Sequence, residues 1–289
     1  MYKRFSLLSI LISASLWGLP QPSVAQVFAP HVPELDAERM EQQGLFLAQE
    51  AVQLAQFQQF ELALQRASLA AQLAPASPQV WLLLGQLHLQ MEDFDQALEA
   101  VLKARELDEE DPAALFELGS VYFRLGEFEK AAESIEQGLE FAPGVPGALF
   151  DLGNAYFMLG RYSEAIDRYE RSADIDEMFW PSINNIGLVL YEQGDVDDAV
   201  DRWQMAVDIT EEQEAEPLLA IAVALYVEGK EDEAIDVGRM ALEMDSRYAD
   251  LEFLKENLWG DRLLADTEEF LNLPTMQDVL AQTAVPSLN

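Results

Sequence analysis

Between residues 44 and 248 small and bulky apolar residues return in the same order about every 34 positions. The period is clearest in two adjacent stretches, PAALFELGSVYFRLGEFEKAAESIEQGLEFAPGV (112–145) and PGALFDLGNAYFMLGRYSEAIDRYERSADIDEMF (146–179). Leu118, Gly119 and Tyr122 in the first correspond to Leu152, Gly153 and Tyr156 in the second. Gly126, Phe128 and Ala131 correspond to Gly160, Tyr162 and Ala165. Within each half the apolar positions keep helical spacing, and a glycine divides the halves. Self-similarity at this period predicts a solenoid of helix–turn–helix units.

The units align at Gly44, Pro78, Pro112, Pro146, Trp180 and Ala215, the fifth carrying one extra residue near Glu211–Glu214. Their ranges are 44–77, 78–111, 112–145, 146–179, 180–214 and 215–248. The twentieth column holds only alanine: Ala63, Ala97, Ala131, Ala165, Ala199 and Ala234. The eighth reads Ala51, Gly85, Gly119, Gly153, Gly187 and Ala222. Such columns predict close approach of two helices, where a larger side chain would overpack the contact. Leu84, Leu118, Leu152, Ile186 and Ile221 in column seven, and Phe60, Phe94, Phe128 and Tyr162 in column seventeen, supply bulk between them. Gly126, Gly160, Gly194 and Gly229 fall where a turn needs positive φ. Pro78, Pro112 and Pro146 suit the first turn of a helix.

On these residues the chain resembles the tetratricopeptide repeat (TPR) family over residues 44–248, about 70% of its length. The resemblance implies an all-α, right-handed superhelical solenoid of about six units, each a helix A followed by a helix B. The first and sixth units match least well, with Glu50 in the column of leucines and Glu231 in the column of aromatics. Terminal repeats commonly deviate in this way.

The ends follow other rules. Lys3 and Arg4, the apolar run Phe5–Trp17, the break at Leu19–Pro22 and the small-x-small site Ser23-Val24-Ala25 predict a secretory signal, residues 1–25. Cleavage after Ala25 is the main expectation, retention as an N-terminal membrane anchor the alternative. The chain has no cysteine to carry a lipid. Residues 26–43 are a linker and the start of the first helix, with Asp36 as its N-cap. After Tyr248, residues 249–289 predict a capping helix on the last repeat (Leu251, Leu254, Leu258), a short helix before Pro274, a further turn or two and a loose end. The segment NLWGDRLLADTEEFL resembles tails of cyanobacterial TPR proteins, which makes the periplasm or the thylakoid lumen the expected compartment.

Charge narrows the partners. The chain carries 53 acids against 17 bases, a net −36, and loss of residues 1–25 would leave −38. That excludes a nucleic-acid binder, which needs a basic face to neutralise phosphate. Membrane contact is expected only if the N-terminal segment is retained. Absence of cysteine removes disulfides, thiolate metal sites and a cysteine nucleophile. The two histidines are His31, in the linker, and His88, in the column of Tyr122 and Tyr156, where packing explains it. The acidic runs Glu106–Asp111 and Asp195–Asp198 lack the spacing of a calcium loop. No cofactor, metal site or catalytic constellation is expected, and nothing argues for an enzyme.

A second stripe on each helix A points to binding. Columns 5, 9 and 12 are spaced i, i+4, i+7 and share one face. In unit two they are Leu82, Gln86 and Leu89, in unit three Phe116, Ser120 and Phe123. Unit four has Phe150, Asn154 and Phe157, unit five Asn184, Leu188 and Tyr191, unit six Leu219, Val223 and Tyr226. In the family this face lines the concave groove that holds a partner. The resemblance thus implies a partner-binding groove, here apolar and aromatic, with Asn154, Asn184 and Asn185 offering amides to a partner backbone. Packing between neighbouring A helices is the competing account of the same rings. Family members that clamp acidic C-terminal tails use several Lys and Arg here. This face offers only Arg124, beside Glu117, Asp151, Glu192 and Glu216, so acidic tails are not expected partners. The function expected is a non-enzymatic interaction module or assembly scaffold. The alternative is self-association through the aromatic face or the C-terminal helices, and the oligomeric state stays open. If the register is right, Ala131→Leu overpacks a helix contact and costs about 1–3 kcal/mol. Thermal melting would show it, and an unchanged melting temperature would put the register in doubt.

Overall fold

The computed structural model describes residues 36–283. Over these the chain is all-α: fifteen α-helices and one short 3₁₀ helix, without a strand among the described residues. The expected signal segment, the residues up to 35 of the linker and the loose end 284–289 lie outside the described residues. Among the described residues, no helix is long and apolar enough to cross a membrane.

The first twelve helices form six consecutive A/B pairs. They are α1 (Ala37–Gln56) with α2 (Phe60–Leu73), α3 (Pro78–Gln90) with α4 (Phe94–Leu107), and α5 (Pro112–Arg124) with α6 (Phe128–Phe141). The series continues with α7 (Pro146–Met158) and α8 (Tyr162–Ile175), α9 (Trp180–Gln193) and α10 (Val196–Thr210), and α11 (Ala215–Val227) and α12 (Glu231–Met244). Each helix packs on the next, and each A helix also touches the following A helix through units one to five. Proline opens α3, α5 and α7, and the Asp111 carboxylate caps α5 by accepting from Ala113 N at 3.0 Å.

The A–B contact is built on the eighth column. A Cβ on Gly85, Gly119, Gly153 or Gly187 would lie 2.4–2.5 Å from Val101, Ile135, Tyr169 or Trp203 respectively. The glycine lets the B helix approach and makes room for one side chain. That side chain grows along the chain from valine to tryptophan. The Ala column is fully buried beside it, from Ala63 to Ala234. Gly126, Gly160, Gly194 and Gly229 take φ of 75°, 69°, 96° and 83° at the A–B turns. In the first two units the same position is Gln58 (φ 59°) and Glu92 (φ 61°), where the left-handed backbone costs an L-residue roughly 1–2 kcal/mol. The weaker family match of unit one is visible in this turn.

Past unit six a 3₁₀ turn η1 (Ser246–Ala249) leads to α13 (Leu251–Glu256), α14 (Asp261–Leu271) and α15 (Pro274–Thr283). At the end of the solenoid η1 and α15 pack on α12, and Leu254 of α13 is buried in the same core as Ala241 and Leu242. The tail differs from expectation in one way: α14 lies across the A helices α9 and α11, on the face where a groove was expected.

Candidate partner-binding face

The stripe residues divide into three groups. Phe116 and Phe150 are half-buried by their own repeats. The ring of Phe116 covers Gly138, and Phe150 packs on Tyr169 and Phe179 at centroid distances of 5.8 and 5.5 Å. Column twelve is likewise tied to the B helices. Phe123 meets Phe128 edge-on at 5.2 Å, Phe157 meets Tyr162 at 5.7 Å, and Tyr191 meets Trp203 at 5.7 Å. For these rings, packing inside the repeat is the larger role.

The second group lies under the tail. Asn184, Asn185, Leu188, Tyr191 and Leu219 are buried, and Tyr226 stacks on Phe270 of α14 at 5.6 Å. The aromatic ladder is therefore not one open groove from unit two to unit six: its C-terminal half is covered by the chain itself. The reason is local. Column 24 carries Tyr169 and Trp203 in units four and five but Gly238 in unit six, and Phe270 lies where a Gly238 side chain would be, 2.7 Å from its ideal Cβ. The tail thus supplies the ring that the sixth unit lacks.

Polar contacts fix the tail in register. Tyr191 OH donates to Asp266 Oδ2 at 2.6 Å. Arg262 Nη1 donates to Tyr191 O at 3.0 Å, and its guanidinium lies 4.9 Å from the Tyr191 ring centroid. Gly260 offers no side-chain cap, so Glu192 caps α14 instead, accepting from Arg262 N at 3.2 Å and Leu263 N at 3.0 Å. Beneath it, Glu216 accepts from Asn184 Nδ2 and Trp259 Nε1, both at 3.1 Å, and from Tyr248 OH at 3.4 Å. Asn184 Nδ2 also donates to Asn185 Oδ1, and Asn185 Nδ2 donates to Asn154 Oδ1 at 3.0 Å, which also accepts from Tyr169 OH at 2.8 Å. Asn185, the Asn184 Nδ2 and the Asn154 Oδ1 are thus engaged within the chain, whereas no described residue bonds Asn154 Nδ2 or the buried Asn184 Oδ1. Burial pushes the Glu216 carboxyl up to about 7 despite three donors, with nearby Glu214 adding to the rise.

The third group stays open: Leu82, Leu89, Phe123 and Asn154 are half-buried, with Gln86 exposed. A cavity of about 250 Å³ lies between Leu89, Phe123, Asp151 and Asn154. Arg124, also in its lining, is paired at 3.4 Å with Glu92 and lies 4.9 Å from the Phe94 ring centroid. The repeat register places Glu117, Asp151, Glu192 and Glu216 on this face, and their separate roles come from the tertiary contacts. The signal for the tail is Gly238, where column 24 loses the bulk it carries in units two to five.

The sequence model of the tetratricopeptide repeat family matches residues 82–146, 116–177 and 184–249. These cover more than half of the chain, and the protein belongs to that family. No curated protein matches it in sequence. Solved structures share the fold. PilF of Pseudomonas aeruginosa is 16% identical, with TM-score 0.62 over 76% of this chain and 99% of that one. MamA is 22% identical, with TM-score 0.53 over 60% of this chain and 94% of that one. YrrB, whose structure is described as a TPR protein with an unusual peptide-binding site, is 19% identical, with TM-score 0.51 over 61% and 90%.

Two outcomes are expected. Phe270→Ala leaves a cavity against Gly238 and Tyr226 and costs about 3–5 kcal/mol. It should also deprotect the amides of α14 in hydrogen exchange before those of α5–α8. The raised Glu216 pKa means that the folded chain binds more protons than the unfolded chain between the carboxyl's ordinary 4.5 and about 7, so stability falls as pH rises through that window. In Glu216→Gln the drop in melting temperature from about pH 5 to about pH 8 should be smaller than in the wild type.

Proposed function

We propose that this protein is a non-enzymatic interaction module or scaffold, holding an apolar or amphipathic segment of a partner protein on the open part of its A-helix face. The observation that carries the reading is the cavity between Leu89, Phe123, Asp151 and Asn154, a concave site of mixed apolar and polar lining on the A-helix face. The peptide-binding site of YrrB supports it by analogy of fold. Phe116, Phe150 and Phe157 form the support of this site, while Asn184, Asn185, Leu188, Tyr191, Leu219 and Tyr226 form the seat of the tail. Acidic C-terminal tails and nucleic acid are not partners in this reading, because Arg124 is committed to Glu92 and the chain is strongly acidic. The reading includes export, with the periplasm or thylakoid lumen as the place of action. It rests on residues 1–25, and a retained N-terminal segment would tether the module to the membrane.

A second reading is self-association, favoured by the apolar edge of unit one, where Phe46 is 58% and Phe57 75% exposed. Sedimentation at several concentrations separates the two, since a concentration-independent monomer removes the second. For the first, a photo-crosslinking residue at position 89 should capture a defined protein set in native extract that the same residue at exposed position 133 does not. Equal capture from both positions would count against the site.

A further inference from the structure

The cavity lining holds one charged group that the fold leaves without a partner. Ser120 Oγ donates back to Phe116 O at 3.2 Å. Asn154 Oδ1 accepts from Tyr169 and Asn185. Arg124 is held by Glu92 and the Phe94 ring. The other half-buried or buried acids of the A helices have donors: Glu50 pairs with Arg66 at 3.7 Å, Glu117 accepts from Gln86 Nε2 at 3.2 Å, Glu192 caps α14 and Glu216 takes three donors. Asp151 is half-buried in the same cavity wall, and no hydrogen bond or ion pair from the described residues reaches it. Burial and the like charge of Glu117 push its carboxyl up to about 6. A carboxylate kept partly out of water without a donor is costly to the folded chain and is stabilised by any cation that enters.

Deepening the proposed function and resting on it, we propose that the occupant of this site is a partner segment with a lysine or arginine flanked by apolar side chains. Its cationic head meets Asp151, with Glu117 beside it, and its hydrocarbon stem runs over Leu89 and the face of Phe123. The stem and head of such a side chain match a site that is apolar on one wall and acidic on the other. The Phe123 ring adds attraction for the same charge. Long-range steering agrees, since a chain of net −36 draws cationic segments toward it at low salt. A second copy of this acidic chain would be a poor occupant by the same charge.

The test uses the full chain as wild type, Asp151→Asn and Phe123→Ala, each checked for unchanged helicity. A displayed library of random short peptides is selected on the three in parallel. On the wild type, peptides with a Lys or Arg between apolar residues should be enriched, and on Asp151→Asn that preference should drop by about tenfold. On Phe123→Ala enrichment should fall for apolar and cationic peptides together. Apolar peptides enriched equally on wild type and Asp151→Asn, with no preference for a cation, would overturn this inference and leave the proposed function standing. Enrichment unaffected by Phe123→Ala would overturn both, as would no enrichment on any of the three.

Discussion

The close approach of helix A to helix B at one small residue per repeat is the constraint on which this molecule depends. Where Gly85, Gly119, Gly153 and Gly187 sit, any side chain would collide with Val101, Ile135, Tyr169 or Trp203. The glycine makes a hole and the B helix fills it. Because the filling grows toward the C-terminus, each unit presents a slightly different surface on the same backbone. In unit six the pair is reversed in kind, with Ala222 opposite Gly238, and the hole is filled from outside by Phe270.

That single exchange organises the C-terminal half of the A-helix face. Once Phe270 enters, α14 must lie across α9 and α11, and the polar groups there must be satisfied by the tail. Glu192 becomes a helix cap, Tyr191 a donor to Asp266, and Glu216 the acceptor for Trp259 and Tyr248. Buried polar groups tolerate burial only when paired, so the network and the apolar anchor support one another. Aromatic residues that a sequence reader assigns to a partner are here bound by the protein's own chain, and the tail behaves as a resident ligand of the groove.

What remains open is smaller and chemically mixed. Leu89, Phe123 and Ile135 provide an apolar wall, and Asp151 an acid without a donor. The surface charge of the chain and the acid in this site have the same sign. Family membership explains why such a face exists.

The repeat architecture was legible from residue order alone. The Ala column, the Gly column and the turn glycines are required by contacts that recur within each unit, and local contacts leave a periodic trace. The candidate face was only half legible. Columns 5, 9 and 12 correctly identify one face of each A helix, but periodicity carries no record of what covers that face. Phe123 and Tyr191 occupy the same column, yet one borders an open cavity and the other is sealed beneath Asp266 and Arg262. The pairing of Tyr191 with a residue 75 positions later depends on where the tail returns, and that is set by the energy of filling the hole at Gly238. The sequence by itself determined the unit, its register and its acidic balance, because each follows from interactions between near neighbours in the chain. Which part of the groove stays open, and which acid lacks a donor, was decided only in the tertiary structure, where distant segments compete for the same surface.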